Sequence, residues 1–307
     1  MKKNQNRKND QLQQFLGDYL NELRYERNLA ENSLESYSRD IESFLSFLSD
    51  SAITDLSDVT VENASEFFLF LSRSGLNERS LARYHSSIKG FFSFLVVSGY
   101  ISKNPIAKTK PLKLKRKLPE VLSPAEIESL IAKTDLETPT GLRDRAIIEV
   151  LYACGIRVSE LSGMKKNDIF FDEEMIRVIG KGNKQRLVPI GSSAINALNN
   201  YLTFGRPIIA KPGGGNTLFV NAKRGVGLTR VGIWKIIKQY AELAGLGKRV
   251  YPHIFRHSFA THLIEGGANI RAVQEMLGHT DISVTQIYTH IDITYIREVI
   301  HQYHPRG

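Results

Sequence analysis

Residues 175–190 read MIRVIGKGNKQRLVPI, and this stretch distinguishes the fold from an all-helical one. Apolar residues alternate over 175–179, a polar turn with two glycines follows at 180–184, and an apolar run returns over 187–190. Apolar segments on both sides of a glycine-containing turn are typical of a β-hairpin. We therefore predict one small hairpin in a chain whose other apolar patterns are helical.

Helical signals lie on both sides of the hairpin. Ser123 is a good N-cap, Pro124 suits the first helical position, and Glu126 completes a capping box. A further helix is predicted over roughly 141–154, ending at Gly155, which is a typical helix stop. Additional helices are predicted at about 229–244, 256–265, 270–277 and 282–288, and the Gly- and Pro-rich residues 205–216 are predicted to be a loop.

The first hundred residues carry four apolar stripes at helical spacing, within 12–23, 34–48, 67–71 and 88–95. The dipeptide Asn104-Pro105 then interrupts any helix. We predict an N-terminal helical domain over 1–107 and a second domain over 120–307. A length of 307 residues suits two domains better than one.

A basic linker, residues 108–119, joins the two predicted domains. Its sequence over 108–118, KTKPLKLKRKL, has six basic residues and no acidic one. It is either a plain solvated linker or a segment that lies along a phosphate backbone. In the second case, the residues in contact with DNA would be Lys113, Lys115, Arg116 and Lys117.

The net charge of +9 is concentrated in the second part of the chain. Residues 1–110 have 14 basic and 14 acidic residues, whereas the remainder has 27 basic and 18 acidic ones. A pI of about 9.5 favours an anionic partner, with nucleic acid the leading candidate. Cys154 is the single cysteine, which excludes an intramolecular disulfide and a multi-cysteine zinc site. Without a signal peptide or an apolar run of about 18 residues, the chain is predicted to be cytoplasmic, with no membrane partner.

Two clusters carry arginines suited to binding a phosphate. In YPHIFRHSFATHL, residues 251–263, His253 and Arg256 are three apart and share one helix face. A guanidinium group binds two phosphate oxygens and an imidazole donates or moves a proton. In ACGIRVSEL, residues 153–161, Arg157 follows a helix stop and Glu160 could orient it.

Three further residues complete a candidate site. Lys181 lies in the hairpin turn between glycines, His279 follows Gly278 at a predicted helix end, and Tyr288 comes nine residues later. A tyrosine hydroxyl becomes a useful nucleophile when cations stabilise its phenolate and the phosphorus that it attacks. Each signal is weak alone, but chance assembly of all six residues in this context is very improbable.

These motifs resemble those of the tyrosine recombinases, and within them the bacterial Xer recombinases. The resemblance is carried by ACGIRVSEL, GKGNKQRLVPIG, PHIFRHSFATHL, LGHTDISVTQIYTH and the tail HQYHPR, and it spans nearly the whole chain. The QIYTH segment and the tail are more similar to the XerD branch of this family than to the XerC branch.

The resemblance implies a role for each candidate residue. Tyr288 would attack the scissile phosphate and form a 3′-phosphotyrosine bond, and Lys181 would protonate the leaving 5′-oxygen. Arg157 and Arg256 would neutralise the non-bridging oxygens. The remaining catalytic residues, His253 and His279, would hydrogen-bond the phosphate, with His253 the better candidate for proton transfer and Glu160 orienting Arg157. No cofactor and no metal are expected.

The resemblance also implies an architecture and partners. The fold would be mainly α with a small β-sheet, arranged as a C-shaped clamp of an N-terminal helical bundle and a C-terminal catalytic domain. Arg79, Arg83 and Lys89 of the first domain could contact DNA, although a solvated face is an equal reading. The segment 292–307 would dock into a neighbouring subunit. Expected partners are a double-stranded recombination site, a XerC-like paralogue in a cyclic heterotetramer and a septal DNA translocase as activator, for the resolution of chromosome dimers.

Other readings remain open at this point. Related enzymes are a type IB topoisomerase, a phage or transposon integrase, and an Xer-type recombinase of a plasmid or mobile element. A zinc hydrolase would use His253, His257 and His262, although the motif lacks the glutamate that metalloproteases need; otherwise His257 and His262 serve packing or the helix surface. A non-catalytic DNA-binding protein would lack a use for the six-residue set.

Overall fold

The computed structural model describes residues 2–27, 29–107, 109, 120–180, 183–247, 250–278 and 290–307, with residues 2–11 and 290–293 described in their backbone alone. The chain forms two compact units, Met1–Lys117 and Leu118–Gly307. Most of the described residues are helical, as the sequence predicts. None of the helices in the described ranges combines the length and apolarity that crossing a membrane requires.

The described part of the first unit contains four α-helices: α1 (Lys2–Tyr25), α2 (Glu31–Asp50), α3 (Val61–Arg73) and α4 (Glu78–Val97). They enclose an aromatic core in which the ring centroid of Phe44 lies 4.9 Å from that of Phe67 and 5.9 Å from that of Phe92. All three rings are fully buried. The four predicted stripes thus form the buried faces of a helical bundle.

The second unit is also mainly helical. Its described helices are α5 (Pro124–Ala132), α6 (Pro139–Cys154), α7 (Val158–Gly163), α8 (Ser192–Asn200), α9 (Arg206–Ile209), α10 (Arg230–Leu243), α11 (Pro252–Gly266), α12 (Ile270–Leu277) and α13 (His290–Tyr303). Helix α6 is buried along most of its length and forms the centre of the main core. A second apolar cluster joins α11, α12 and α13.

An antiparallel sheet of three strands, in the order β1 (Ile169–Phe170), β2 (Met175–Ile179) and β3 (Gln185–Pro189), lies between α7 and α8. The predicted hairpin is present as β2 and β3, and β1 extends it. In the register, Ile176 faces Val188 and Val178 faces Arg186. Partners in a ladder lie on the same face of the sheet. Arg186 is therefore on the face where Ile176, Val178 and Val188 are buried.

The capping box of Ser123 and Glu126 begins α5 as predicted, and Gly155 ends α6 in the left-handed region with φ 56°. The prediction of a loop over 205–216 is wrong in part. Helix α9 and a 3₁₀ turn at Pro212–Gly214 occupy it, because the buried Arg206 side chain donates hydrogen bonds to the carbonyls of Gly215, Thr217 and Leu218. Helix α8 was not predicted, and the predicted helix at 282–288 lies outside the described residues.

Candidate active site

Arg157 lies at the start of the short helix α7, three residues after the end of α6. Its backbone N–H donates to Glu160 Oε2 at 2.8 Å and its guanidinium Nη1 donates to Glu160 Oε1 at 3.1 Å. The side chain of Arg157 is 40% exposed, whereas that of Glu160 is buried. The predicted orienting role of Glu160 therefore has a geometric basis: the buried carboxylate holds the guanidinium group at the protein surface.

Glu160 is itself held by Arg186, a residue that sequence reasoning missed. Arg186 Nη1 and Nη2 donate to the two carboxylate oxygens of Glu160, each at 3.0 Å. Burial alone would raise the pKa of Glu160, but the hydrogen bonds and charge of Arg186, together with Arg157, hold that pKa below its usual value. The carboxylate therefore stays ionised at neutral pH.

Arg256 is buried near the start of α11 and bridges two segments of the unit. Its Nη1 donates to the carbonyl of Gly155 at 2.9 Å and its Nη2 donates to the carbonyl of Leu277 at 2.6 Å. Burial and the positive charge of Arg157 lower the pKa of Arg256 to about 10. Arg256 and Arg157 are thus close enough to repel, which is the arrangement expected of two cations that share an anionic ligand.

His253 lies one turn before Arg256 on α11, with its side chain accessible to solvent. Partial removal of its imidazole from water lowers its pKa, and the charges of His257, Arg256 and Arg157 lower it further. A neutral imidazole at physiological pH can accept a proton or donate a hydrogen bond. The structure therefore brings Arg157, Glu160, His253 and Arg256 into one electropositive group.

Gly278 ends α12 in the left-handed region, with φ 66°, directly before His279. A Cβ atom on Gly278 would lie 3.2 Å from Arg186 Cδ and 3.2 Å from its Nε. This glycine therefore lets the helix end pack against Arg186. His279, Tyr288 and Lys181 lie outside the described residues.

The predicted DNA contacts of the first unit differ in their surroundings. Arg79 is exposed on α4. Arg83 forms an ion pair with the buried Asp40 and donates to the carbonyl of Ser36 at 3.2 Å, and Lys89 Nζ donates to the carbonyl of Ala107 at 3.3 Å. Arg83 and Lys89 thus have structural contacts that the sequence reading did not foresee. The linker residues Lys113, Lys115, Arg116 and Lys117 fall outside the described residues.

The three histidines of the zinc-hydrolase hypothesis do not converge. His253 and His257 are exposed, whereas His262 is buried and its Nδ1 lies 2.8 Å from the hydroxyl of Tyr152. Across the part of the chain that the structure describes, no group of three or more His, Cys, Asp or Glu residues could hold a metal ion. The geometry gives that hypothesis no support.

The C-terminal residues pack on their own chain. Ile296, Val299 and Ile300 of α13 are buried in the cluster formed with α11 and α12. Arg306 then forms ion pairs with the buried Glu149 and with Glu128. The resemblance implies that segment 292–307 docks into a neighbouring subunit. In this single chain its described part packs within the second unit, Leu118–Gly307, which is the catalytic unit of the proposed enzyme.

The alternation of inward and outward residues in the predicted strand could have identified Arg186 from the sequence. It lies two residues before the buried Val188 in a strand, so the period of two places it on the inward face, where an arginine needs an anionic partner. That partner, Glu160, belongs to a distant motif, and the sequence gives no pairing between the two segments.

Comparison with known proteins agrees with this fold. Residues 120–294 match the phage integrase family, and residues 16–99 match the N-terminal SAM-like domain of phage integrases. The curated relatives include tyrosine recombinases XerD of three bacteria. The XerD of Listeria innocua is 40% identical, that of Staphylococcus epidermidis 41% and that of Chlorobaculum tepidum 42%. Each match covers 95% of this chain. The matches cover 99%, 99% and 96% of the three relatives, in the same order.

Solved structures of other proteins share the fold of this chain. A XerH site-specific recombinase bound to a palindromic difH substrate in a post-cleavage complex is 25% identical, with a TM-score of 0.69 over 89% of this chain and 80% of the other. A lambda integrase dimer bound to a COC′ core site is 19% identical, with a TM-score of 0.69 over 91% and 98%, which bears on the fold alone. This chain therefore belongs to the phage integrase family and is a XerD-like tyrosine recombinase, an enzyme of site-specific DNA recombination.

Proposed function

We propose that the chain cleaves and rejoins DNA through a 3′-phosphotyrosine intermediate formed by Tyr288. The oxygen of Tyr288 attacks the scissile phosphorus, the bond from phosphorus to the 5′-oxygen breaks, and Lys181 gives a proton to that leaving oxygen. The tyrosine proton passes to a base, for which His253 is the candidate. A free 5′-hydroxyl of another strand then attacks the phosphotyrosine and releases Tyr288, so one phosphoester replaces another without ATP.

The observation that supports this proposal is the group formed by Arg157, Arg256 and His253. The buried guanidinium group of Arg256 binds the carbonyl of Gly155, two residues before the exposed Arg157, and the two cations are close enough to repel. Two such cations suit a phosphate whose non-bridging oxygens gain charge during the attack. Glu160 keeps Arg157 oriented for that ligand. His279 would add a further hydrogen bond to the phosphate. Because these cations supply charge stabilisation, we expect cleavage without a cofactor or a metal ion.

We further infer that both units bind a double-stranded recombination site. In the first unit, Arg79, Arg83 and Lys89 would lie near phosphates, and the linker 108–119 would follow the backbone. The excess positive charge of the second part supports this reading. Affinity should fall steeply with salt if many phosphates are contacted.

The biological task that we propose is the resolution of chromosome dimers at cell division, in the cytoplasm. The similarity to XerD proteins over 95% of the chain favours this task over recombination of a mobile element. We propose a cyclic heterotetramer with a XerC-like paralogue, in which segment 292–307 docks between subunits, and activation by a septal DNA translocase.

The test is covalent trapping on a suicide substrate in EDTA. The substrate is a nicked duplex whose sequence the wild-type chain itself enriches from a pool of random duplexes, assayed with and without the paralogue and translocase of the same genome. A protein–DNA adduct on a denaturing gel that Tyr288→Phe abolishes would establish Tyr288 as a metal-independent nucleophile. Binding without any adduct would favour a DNA-binding protein that does not cleave, and an adduct in the Phe variant would assign the nucleophile elsewhere.

A further inference from the structure

Arg186 contacts three separate segments that lead to proposed catalytic residues. We propose that it is a positioning residue for DNA cleavage, fixing Arg157 through Glu160 and fixing the end of α12 through the carbonyl of Met276. This inference rests on the proposed function, since it concerns the geometry of the same phosphate site.

The first contact is a two-point ion pair. Both guanidinium Nη atoms of Arg186 lie 3.0 Å from separate oxygens of Glu160, and the same two oxygens accept from Arg157. The side chains of Arg186 and Glu160 are 10% and 4% exposed, so water competes little for either group. Glu160 therefore links the position of the nearly buried Arg186 to that of the exposed Arg157, which would meet the phosphate.

The second contact is with the end of helix α12. Arg186 Nε donates to the carbonyl of Met276 at 3.0 Å, and Arg256 donates to the next carbonyl, that of Leu277. The last carbonyls of a helix lack partners within the helix, so these two bonds satisfy them and hold the end of α12 against Arg186 and Arg256. Gly278 packs on the same guanidinium group, and the chain continues from it to His279.

The third contact is with strand β2, in which Val178 is the ladder partner of Arg186. A Cβ atom on Gly180 would lie 3.7 Å from Arg186 Nη1 and 3.7 Å from Glu160 Oε1. Gly180 directly precedes Lys181 in the chain. The ion pair of Arg186 and Glu160 thus lies beside the residue that precedes the proposed general acid in the chain.

Lysine cannot replace Arg186 in this arrangement, although it would keep the charge. The planar guanidinium group donates in fixed directions to two carboxylate oxygens and one carbonyl, whereas an ammonium group is a single point of charge. Arg186→Lys should therefore loosen the three segments without leaving Glu160 uncompensated. A misplacement of about 1 Å in such a site reduces the rate by about 100-fold.

Arg177 of strand β2 provides a matched control. Its Nε and Nη2 donate to Asp168 Oδ1 at 2.9 Å and 2.7 Å, and the Asp168 side chain is buried. Arg177 faces away from Arg186 in the hairpin, because it pairs with Leu187 in the register. Arg177→Lys thus disturbs another pairing of a sheet arginine with a buried carboxylate, on the other face of the sheet and outside the phosphate site.

The experiment measures the rate of adduct formation at saturating suicide substrate, DNA affinity and the melting temperature for both variants. We expect Arg186→Lys to bind DNA as the wild type does and to cleave about 100-fold more slowly, with Arg177→Lys cleaving normally. In a Glu160→Gln background, the effect of Arg186→Lys should shrink to less than about 10-fold, because the two residues act as one unit. If Arg186→Lys melts at a much lower temperature than Arg177→Lys, the test uses Glu160→Gln instead. Glu160→Gln is then expected to bind DNA normally and to cleave slowly.

The outcomes separate this inference from the proposed function. A wild-type adduct lost in Tyr288→Phe, with Arg186→Lys cleaving as fast as Arg177→Lys, overturns the positioning role and leaves the proposed function intact. Additive effects of Arg186→Lys and Glu160→Gln likewise overturn the positioning of Arg157 through Glu160. The absence of a wild-type adduct under every condition refutes both.

Discussion

Arg306 joins the C-terminal residues of the chain to Glu149, a carboxylate buried in the central helix α6. Arg306 Nη2 donates to Glu149 Oε1 at 2.6 Å and its Nε donates to Oε2 at 2.8 Å. Arg306 also pairs with Glu128, whose side chain is exposed. Because a buried carboxylate needs a cationic partner, this contact holds the described C-terminal residues against the catalytic unit.

We predict that Glu149→Gln lowers the free energy of unfolding of the catalytic unit by about 2 kcal/mol, since it removes the anion that Arg306 and Arg145 share. The matched control is Glu128→Gln, which removes the exposed partner and should cost less than about 1 kcal/mol. Denaturant unfolding measures both, and limited proteolysis should cut the last residues faster in Glu149→Gln alone. Equal stability of the two variants would contradict the importance of the buried pair.

His304 gives the catalytic unit a dependence on pH. Its imidazole is buried between the rings of Tyr152 and Phe259, and burial, with the charges of His262 and Arg306, lowers its pKa to about 3. The unfolded chain takes up this proton near pH 6.5. The folded state therefore binds fewer protons between about pH 6.5 and 3, and stability is lost as the pH falls through that window.

We predict that, because of His304, the free energy of unfolding falls by about 2 kcal/mol as the pH is lowered from 7.5 to 5.0. His304→Asn does not titrate and keeps an acceptor for the Arg306 N–H, so this part of the loss should disappear. His301→Asn, on the exposed side of helix α13, which ends just before His304, should retain it. Unfolding midpoints at several pH values measure the slopes, and equal slopes for wild type and His304→Asn would contradict the assignment.

Gly155 combines two requirements that only glycine meets. Its φ of 56° is unfavourable for other residues, and a Cβ atom would lie 2.4 Å from the ring of Phe259. Gly155→Ala should lower the stability by about 3 kcal/mol and slow cleavage, since the Gly155 carbonyl accepts from Arg256. Gly245 has φ 66° with open space around it, so Gly245→Ala should cost only about 1 kcal/mol. Similar melting temperatures for the two variants would show that the ring contact is unimportant.

The local parts of the fold were predictable because their signals are local. Ser123, Glu126 and Gly155 act on backbone groups within a few residues, so the sequence alone identifies the start of α5 and the end of α6. Helix α9 was missed because Arg206 stabilises that segment through carbonyls about ten residues away. The link between Arg186 and Glu160 was missed for the same reason: it depends on which motifs the tertiary fold brings together.

Arg83 was predicted to contact DNA, and its ion pair with the buried Asp40 leads to a separate prediction. Arg83→Ala should lower the stability of the first unit by about 3 kcal/mol, because it leaves a buried carboxylate without its cation. Asp40→Asn should restore most of that stability in the double variant. Arg79→Ala should leave stability unchanged and, if Arg79 binds a phosphate, reduce the slope of log affinity against log salt by about 1. Thermal unfolding and salt titrations separate the effects. A normal melting temperature for Arg83→Ala would mean that the ion pair contributes nothing, and a reduced salt slope in the stable Arg83→Ala/Asp40→Asn variant would assign Arg83 to DNA as well.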